Sequence, residues 1–442
     1  MNKEKLNPFA LKIAEDLMKV RTNLPLSSAI ASANYKMANI ASQMHISVDT
    51  KSGYKPTPVN LYSLVLLVSG GGKNSSLGLL DRWFFGDAFF KIKDLVYPYY
   101  KKEAYKKLES DGIERDIHSW TQSISNATIS GMYAYAESFS LCGFGSLNIE
   151  VDEIGNAVTS KAELFENLLT PYDNGDFMPV AKRTDSNGMD ISGLPVNLYC
   201  FGNRVRLLDG DRTENNFIQM LDEGYGRRFI FVDDDSKPKL ASGQEILEEM
   251  KISEATRQKR AEDREFIKGI IKADNFKKTL ELTEGAMLKY ATIKAEGDAY
   301  CYNNRNLQPA VIADMTERHF KTVKLAGIYA FFDNSEVVKE EHMEQAFEVI
   351  EASSEVLKRL RKIKPLHERL LEALAQEPDK ITAQTMLGYP FINSNWSKKI
   401  LEYIELAKQL ASERGYEWDE ATKDGVTYYR VIDSTEKTEE VF

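Results

Sequence analysis

The segment NLYSLVLLVSGGGKNSS, residues 60–76, restricts the possible folds of this chain more than any other stretch. An apolar strand, Tyr62 to Val68, leads into a short polar run and then into a predicted helix. That run consists of Ser69, Gly70, Gly71, Gly72 and Lys73. Glycines let backbone N–H groups close around an anion, the helix N-terminus adds about half a positive charge, and a lysine reaches outer phosphates. The segment therefore predicts a phosphate-binding loop.

The loop departs from the pattern G-x-x-x-x-G-K-[ST] at two positions. Leu67 stands where the first glycine is expected, and Asn74 stands where a hydroxyl normally holds Mg²⁺. An asparagine amide oxygen can ligate a hard cation, and Ser75 or Ser76 offers a hydroxyl after a small shift. Asn74 and Ser75 are therefore both candidate metal ligands. The alternative is a glycine-rich hairpin with a solvated lysine.

Composition limits the possible functions. At 442 residues, with 43% hydrophobic and 28% charged residues, the chain has the composition of a soluble globular protein of two or three domains. No apolar run is long enough to cross a bilayer and the N-terminus lacks a signal-peptide pattern, so we expect a cytoplasmic protein without a membrane partner.

The cysteines and the net charge exclude two further classes of protein. Cys142, Cys200 and Cys301 are widely spaced, so we expect neither a structural zinc site nor a disulfide framework. The formal net charge of −10 argues against a protein that coats nucleic acid by bulk attraction. Any contact with nucleic acid has to be local.

The pattern along the chain predicts an α/β protein with several parts. We expect a helical N-terminal element at residues 1–50, an ATPase core with a mostly parallel sheet at 51–235, and a helical lid at 236–354. A winged-helix domain is predicted at 355–433 and a disordered tail at 434–442. The N-terminal helices can instead simply cover one end of the sheet, and residues 236–354 can form a helical domain with its own partner.

A pair of acids follows a predicted strand at the position where hydrolysis of ATP needs a metal ligand and a base. The strand Leu147–Val151 ends in Asp152 and Glu153, about 80 residues after Lys73. Asp152 is suited to hold Mg²⁺ through water, and Glu153 is suited to polarise the attacking water. The alternative is a surface strand that ends in two solvated acids.

A third predicted strand begins at Val196 and ends in a polar residue. Asn203 lies at that end, where a side chain can sense the γ-phosphate or the water, and Asn197 is the second choice. An asparagine that merely forms a turn after Gly202 is the alternative.

Three arginines are candidates for contact with phosphate. Arg227 and Arg228 stand between a glycine-flanked turn and an apolar strand, and planar guanidinium donors suit the γ-phosphate of a neighbouring subunit. An arginine in this role is called an arginine finger. Arg228 is slightly favoured for it, although one of the two arginines can instead pair with the acids of residues 233–235. Arg318 is a candidate second sensor from the lid, or else a solvated charge at a helix start.

The C-terminal region is locally basic in an acidic chain. Residues 355–414 contain eleven Lys and Arg against eight Asp and Glu. The predicted order of helix, short helix, longer helix and two strands is typical of a winged helix. The candidate DNA-binding residues are Lys362, Lys364, Lys398 and Lys399. Winged helices also dock proteins, so that alternative stays open.

Taken together, these residues resemble the P-loop ATPase core of phage and mobile-element primase–helicase proteins. The resemblance covers about residues 25–350 and rests on loose motifs in the expected order. These motifs are Pro58 to Lys73, Asn126-Ala127-Thr128, Asp152-Glu153 and Gly224 to Phe229.

The resemblance implies an AAA+ or RecA-like ring, most simply a homo-hexamer, that binds ATP and Mg²⁺ and moves on single-stranded or forked DNA in phage replication. The chain would then work in the host cytoplasm. No primase module is recognisable, so a separate primase or polymerase is an expected partner. Asn74 departs from the family pattern and leaves open a nucleotide-switched initiator or loader with little hydrolysis. A genome-packaging motor ranks lower because no acidic nuclease cluster is present.

Overall fold

The structure is a computed structural model. It describes residues 1–21, 23–51, 55–67, 73–125, 127–177, 191–208, 212–234, 243–244, 253–304, 307–361, 366–377, 379–389, 392 and 400–433. These residues form two compact units. Unit 1 comprises residues 1–204 and 218–359, and unit 2 comprises residues 205–217 and 360–442.

Twelve strands occur in the described part of the chain, in three sheets. They are β1 (Ser47–Asp49), β2 (Thr57–Pro58), β3 (Tyr62–Leu67), β4 (Ile124–Ser125), β5 (Leu147–Val151), β6 (Val196–Gly202), β7 (Phe229–Asp234), β8 (Thr279–Leu282), β9 (Val337–Val338), β10 (Ile381–Thr382), β11 (Tyr416–Lys423) and β12 (Val426–Asp433).

The α-helices are numbered in chain order. They are α1 (Pro8–Val20), α2 (Leu26–Gln43), α3 (Lys73–Leu80), α4 (Gly86–Ser110), α5 (Ile129–Cys142), α6 (Ile154–Ser160), α7 (Ala162–Glu166), α8 (Leu169–Asn174), α9 (Arg204–Leu207), α10 (Arg212–Met220), α11 (Glu254–Ile270), α12 (Glu284–Asn303), α13 (Pro309–Phe332), α14 (Glu340–Arg361), α15 (Leu366–Leu374), α16 (Ala383–Met386) and α17 (Ile400–Glu413). Two π-helical turns, Asp81–Phe85 and Leu221–Tyr225, follow α3 and α10.

Unit 1 is built on a five-stranded sheet with the order β4-β5-β6-β3-β7, in which every neighbouring pair is parallel. The two central strands, β3 and β6, are buried along their whole length, which explains their near-continuous apolar sequences. The prediction of an α/β fold with a mostly parallel sheet is confirmed.

Two helices of unit 1 are buried nearly all round. Helix α2 is buried from Ser28 to Gln43, and α13 is buried from Lys321 to Phe332. Small residues allow this close packing, since a Cβ atom at Gly327 would stand 2.6 Å from Val48 Cγ2 and 2.7 Å from Val59 Cγ1. A helix without a polar stripe belongs in the interior of a unit.

A second, smaller sheet in unit 1 was not predicted from the sequence. Its order is β2-β1-β8-β9, so β8 pairs with β1 from the N-terminal third of the chain, and β2 and β9 extend the sheet on either side. Strands of two to four residues are too short to give a period-2 signal. The segment predicted as a helical lid therefore also contributes strands.

Unit 2 consists of short elements in the order α15, β10, α16, α17, β11 and β12. Its sheet has the order β10-β12-β11 and is antiparallel. The buried core includes Leu370, Leu374, Ile404 and Tyr429. Glu214 joins residues 205–217 to this core through two bonds to Arg369, of 2.7 and 3.1 Å.

Candidate functional site

The carboxyl edge of the five-stranded sheet contains a topological switch point. From β3 the chain crosses past β6 and β5 to β4, whereas from β6 it crosses β3 in the opposite direction to reach β7. Because crossovers between parallel strands are right-handed, connections that run in opposite directions along the sheet pass over opposite faces. In open α/β sheets such a divergence opens a crevice at the carboxyl ends, and ligands bind there.

The predicted phosphate loop lies mostly outside the described residues. This holds for Ser69, Gly70, Gly71 and Gly72, and for the side chains of Lys73, Asn74 and Ser75. On either side of the loop, β3 ends at Leu67 and α3 begins at Lys73. A buried strand, a five-residue connection and a helix N-terminus therefore meet at this edge, as the sequence predicts.

The acid pair lies at the same edge, two strands away from β3. Strand β5 ends at Val151, which is aligned with Cys200 of β6, and the exposed Asp152 and half-buried Glu153 follow. The backbone N–H of Asn203 donates to Glu153 Oε1 at 3.4 Å. The structure thus brings Glu153 and Asn203 together.

Gly202 permits this close approach of the ends of β5 and β6. A Cβ atom at this position would stand 2.7 Å from Ile154 Cγ2 and 2.9 Å from Leu66 Cδ2. A Cβ atom closer than 3.0 Å to another heavy atom overlaps with it, so any side chain at position 202 would force Ile154 or Leu66 to move. The glycine that precedes Asn203 therefore keeps the end of β6 between the ends of β5 and β3.

Asn197, the second choice for a sensor, lies at the other end of β6 and has a structural role. Its Oδ1 accepts the N–H of Leu61 at 2.8 Å, and its Nδ2 donates to Asn148 Oδ1 at 2.8 Å. The side chain is fully buried. Because β6 runs from Val196 to Gly202, Asn197 is separated from the acid pair by almost the whole length of the strand.

Sequence reasoning missed an ion pair at the candidate site. Arg204, directly after Asn203, places Nη1 3.0 Å from Oδ2 of Asp233, near the end of β7. The Arg204 side chain is 35% exposed, whereas that of Asp233 is 1% exposed. The only sequence signal was an arginine next to the proposed sensor.

A buried cation pairs with an acid of β5, the strand that leads into the acid pair. Lys36 of α2 donates to Asp81 Oδ2 at 2.8 Å and to Glu150 Oε1 at 3.1 Å, and Gln122 donates to Asp81 Oδ1 at 2.7 Å. Burial lowers the pKa of Lys36, but Asp81 and Glu150 raise it by more, so its pKa lies above the ordinary value. The cluster connects α2, the strand of the acid pair and the π-helical turn that begins at Asp81.

Arg227 and Arg228 lie at the opposite edge of the sheet, because they precede β7 whereas Asp152 and Glu153 follow β5. Their acidic partner is Asp173 of α8, 2.7 Å from Arg228 and 3.5 Å from Arg227. The suggested pairing with the acids of residues 233–235 is therefore wrong for Asp233, which pairs with Arg204. A six-residue strand of about 20 Å separates the two ends of β7.

The Arg227 and Arg228 side chains differ in how exposed they are. The Arg228 side chain is 6% exposed, and its Nη1 also donates to Gly224 O at 2.9 Å. Arg227 is 34% exposed. Both line a cavity of about 280 Å³, together with Tyr172 and Lys324.

Lys324 is enclosed at the same edge. Its Nζ donates to Pro58 O, Asn60 Oδ1 and Tyr172 O at 2.6 to 3.0 Å. Burial lowers the pKa of this lysine to about 7, although Asp173 opposes the shift.

Arg318 is not brought to the acid pair by the contacts of its helix. Its Nη2 lies 3.6 Å from Glu296 Oε2, and its guanidinium stands over the ring of Phe347 at 5.1 Å. One turn further along α13, Lys321 donates to Phe229 O at the start of β7. This part of the helix therefore lies at the amino edge of the sheet.

The four lysines predicted to bind DNA, Lys362, Lys364, Lys398 and Lys399, lie outside the described residues. Within the described part of the chain, no three His, Cys, Asp or Glu side chains gather into a metal site. Among the described helices, none is both long and apolar enough to span a bilayer.

No family model matches the sequence, and no curated protein is significantly similar to it.

Proposed function

We propose that this chain is a P-loop ATPase that works as a ring-shaped motor on DNA, with ATP and Mg²⁺ at the carboxyl edge of the five-stranded sheet. One observation carries the proposal. The strand that enters the glycine-lysine loop lies inside a parallel sheet, beside the strand that Asn203 follows, and Asn203 contacts Glu153 of the acid pair.

The chemistry follows from this arrangement. Lys73 and the loop amides would hold the phosphates, and Asp152 with Asn74 or Ser75 would hold Mg²⁺. Glu153 would take up a proton from the attacking water, and Asn203 would contact that water or the γ-phosphate. The exposed position of Asp152 and the half-buried position of Glu153 suit these roles, because both side chains are accessible to a ligand at the edge.

The positions of the arginines support an assembly with more than one subunit. Arg227 and Arg228 lie at the amino edge of the sheet, about 20 Å from the carboxyl edge, where Asp152 and Glu153 lie. They can therefore act only on nucleotide bound to a neighbouring subunit. Arg227 is the better finger, since Arg228 is buried and bonded to Asp173 and Gly224. A closed ring of identical subunits, such as a hexamer, gives every site one such arginine.

The element order of unit 2 supports a winged helix. Helix, strand, two helices and two further strands, with all three strands in one sheet, match the predicted pattern. In the proposed motor, this domain would orient DNA, with Lys398 and Lys399 at the start of its recognition helix.

ATP hydrolysis by three variants tests the proposed site. Lys73→Ala should abolish nucleotide binding, and Glu153→Gln should retain binding but lower kcat by about 10²–10⁴-fold. Glu166→Gln, which changes an exposed acid of α7, is the matched control and should behave as wild type. Normal turnover by Glu153→Gln would contradict the proposed role.

Mixing two inactive variants tests the ring. Arg227→Ala retains the acid pair, and Glu153→Gln retains the arginine, so mixed assemblies should regain activity at interfaces that combine one intact half from each. Lack of recovery, with each variant still able to bind nucleotide, would contradict a finger acting between subunits. Nucleotide binding without DNA-stimulated turnover in wild type would instead favour the initiator or loader.

A further inference from the structure

The second half of helix α4 presents an unusual surface. The segment Tyr99–Lys107, YYKKEAYKK, contains three tyrosines and four lysines against one glutamate, in a chain with a net charge of −10. Tyr99 is 63% exposed, Tyr105 is 39% exposed, and Leu95, one turn earlier, is 60% exposed. Aromatic and aliphatic side chains exposed together in this way mark interaction sites.

Helical spacing aligns the exposed side chains. Leu95, Tyr99, Lys102 and Lys106 succeed one another at intervals of four, three and four residues, so they share one face of the helix. Tyr105 flanks this face, three residues from Lys102. We call these five side chains the α4 stripe.

The rest of the helix is fixed, which makes the stripe a formed surface. Ala104 and Leu108, on the other side of α4, pack in a small core with Ile117 and Cys142. Tyr100 stacks on Phe144 with ring centroids 5.5 Å apart. The structure therefore half-buries Tyr100 and leaves its neighbour Tyr99 exposed.

Each of the two exposed rings has a neighbouring side chain on the same helix. The ring of Tyr99 meets that of Tyr100 edge to face at 5.2 Å, and Lys101 Nζ lies 5.8 Å from the centre of the Tyr105 ring. Pre-ordered aromatic faces lose little entropy when a planar group stacks on them.

We propose that the α4 stripe binds single-stranded nucleic acid, with bases stacked on Tyr99 and Tyr105 and phosphates beside Lys102 and Lys106. Lys106 pairs with Glu103 at 2.8 Å, but four lysines against this one glutamate leave the segment positively charged, and that charge complements a phosphate backbone. Tyrosine faces need unstacked bases, which a duplex does not offer. Tyr99 and Lys106 are about 10 Å apart along the helix, a length suited to a few nucleotides.

This inference deepens the proposed function, on which it rests for its role in a motor, but the binding is measurable without ATP. The probe is a fluorescent 20-nucleotide oligothymidine in EDTA, followed by anisotropy at 50 and 200 mM salt. Oligouridine and a duplex of the same length serve as comparison arms.

Tyr99→Ala should weaken oligothymidine binding roughly tenfold, since stacking a base on an aromatic ring gives about that factor or more. Tyr99→Phe keeps the ring and should bind as wild type. Phe90→Ala is the matched control, because Phe90 is 57% exposed on the same helix but half a turn away around its axis. Circular dichroism and thermal unfolding check that each variant is folded.

Lys102→Ala combined with Lys106→Ala should lower affinity and reduce the salt slope by about 1.4, roughly 0.7 for each lost phosphate contact to a single strand. Lys272→Ala, at an exposed lysine outside α4, should leave the slope unchanged.

Equal affinities of wild type and Tyr99→Ala would overturn the proposal. So would a change in self-association with no change in oligonucleotide binding, because the stripe would then be a contact between copies of the chain. Preference for the duplex would also overturn it. If wild type binds the oligonucleotide through the α4 stripe but does not hydrolyse ATP, the proposed motor is contradicted and the proposed binding surface is not. If wild type hydrolyses ATP but Tyr99→Ala binds the oligonucleotide normally, the binding surface is contradicted and the motor is not.

Discussion

Buried lysines distinguish unit 1 at the scale of single residues. Lys36, Lys321 and Lys324 are each at most 1% exposed, and each lies against carboxylates or carbonyl oxygens. Burying a charge is tolerated only with such partners. Lys36 joins α2 to the acid-bearing strand, so this N-terminal helix takes part in the architecture of the candidate site.

Lys324 should make stability depend on pH. Its folded pKa of about 7 lies below the unfolded value of 10.5, so between these values the unfolded chain binds more protons and stability rises with pH. Wild type should gain about 1 kcal/mol of unfolding free energy per pH unit from pH 7.5 to 8.5. Lys324→Met should lack this gain, whatever its stability at a single pH.

Urea denaturation at three pH values between 7.5 and 8.5 measures this slope. The comparison variant is Lys272→Met, at an exposed lysine, which should keep the slope of wild type. Equal slopes in wild type and Lys324→Met would show that Lys324 is charged in the folded state over this range.

At the scale of elements, the ends of β5 and β6 determine whether the candidate site forms. Strand β6 lies between β5 and β3, so any displacement of its end separates Asn203 from Glu153. The tight contact of Gly202 with Ile154 and Leu66 makes this position sensitive to one added methyl group.

Gly202→Ala should therefore lower the unfolding free energy by about 1–3 kcal/mol, as overpacking does, and should weaken nucleotide binding. Gly78→Ala is the matched control, because nothing lies within 4 Å of a Cβ atom there and alanine favours a helix. Chemical denaturation and titration with a fluorescent nucleotide give the two readouts.

Ile154→Ala alone should lower stability because it leaves a cavity, but combined with Gly202→Ala it should cost less than the sum of the two single losses, since it removes the closer of the two clashing atoms. A double variant whose loss equals that sum would mean that the clash with Ile154 is not the cause.

At the scale of the whole molecule, the chain forms two units that are not continuous in sequence. Residues 205–217 belong to unit 2 although they lie between β6 and β7 of unit 1. The bidentate pair of Arg369 with Glu214 holds this segment, and Glu214 is 6% exposed. Unit 2 is therefore incomplete without residues from the middle of the chain.

A double-mutant cycle on Glu214 and Arg369 tests this connection. Either single alanine substitution should lower the stability of unit 2 by about 2 kcal/mol, because it removes two charge-assisted hydrogen bonds, and the double variant should lose less than the sum. Proteolysis of the full chain, with fragments identified by mass, reports which unit opens. Additive losses would show that the pair is not coupled.

Much of the fold follows from local sequence. Helices α1 and α2 lie within the segment predicted to be helical, and β3, β5, β6 and β7 lie where apolar runs predicted strands. The confirmed α/β class follows from these elements. The small second sheet was missed because its strands are two to four residues long and pair across more than 200 positions.

The candidate site was predicted in part. Short-range patterns indicated Asp152, Glu153 and Asn203, because a polar residue at the end of an apolar strand is visible in the sequence. Asn197 is also a polar residue near one end of this strand. Only its buried hydrogen bonds to Leu61 and Asn148 assign it a structural role.

The sequence by itself determined the strands, the turns between them and the order of the chemical groups along the chain, since these depend on neighbouring residues. Only the tertiary structure decided which groups meet. Arg204 with Asp233, Arg228 with Asp173 and Lys36 with Glu150 are pairs separated by 29 to 114 positions. Such pairs form when strand order, register and burial bring distant segments together, and no local pattern encodes that geometry.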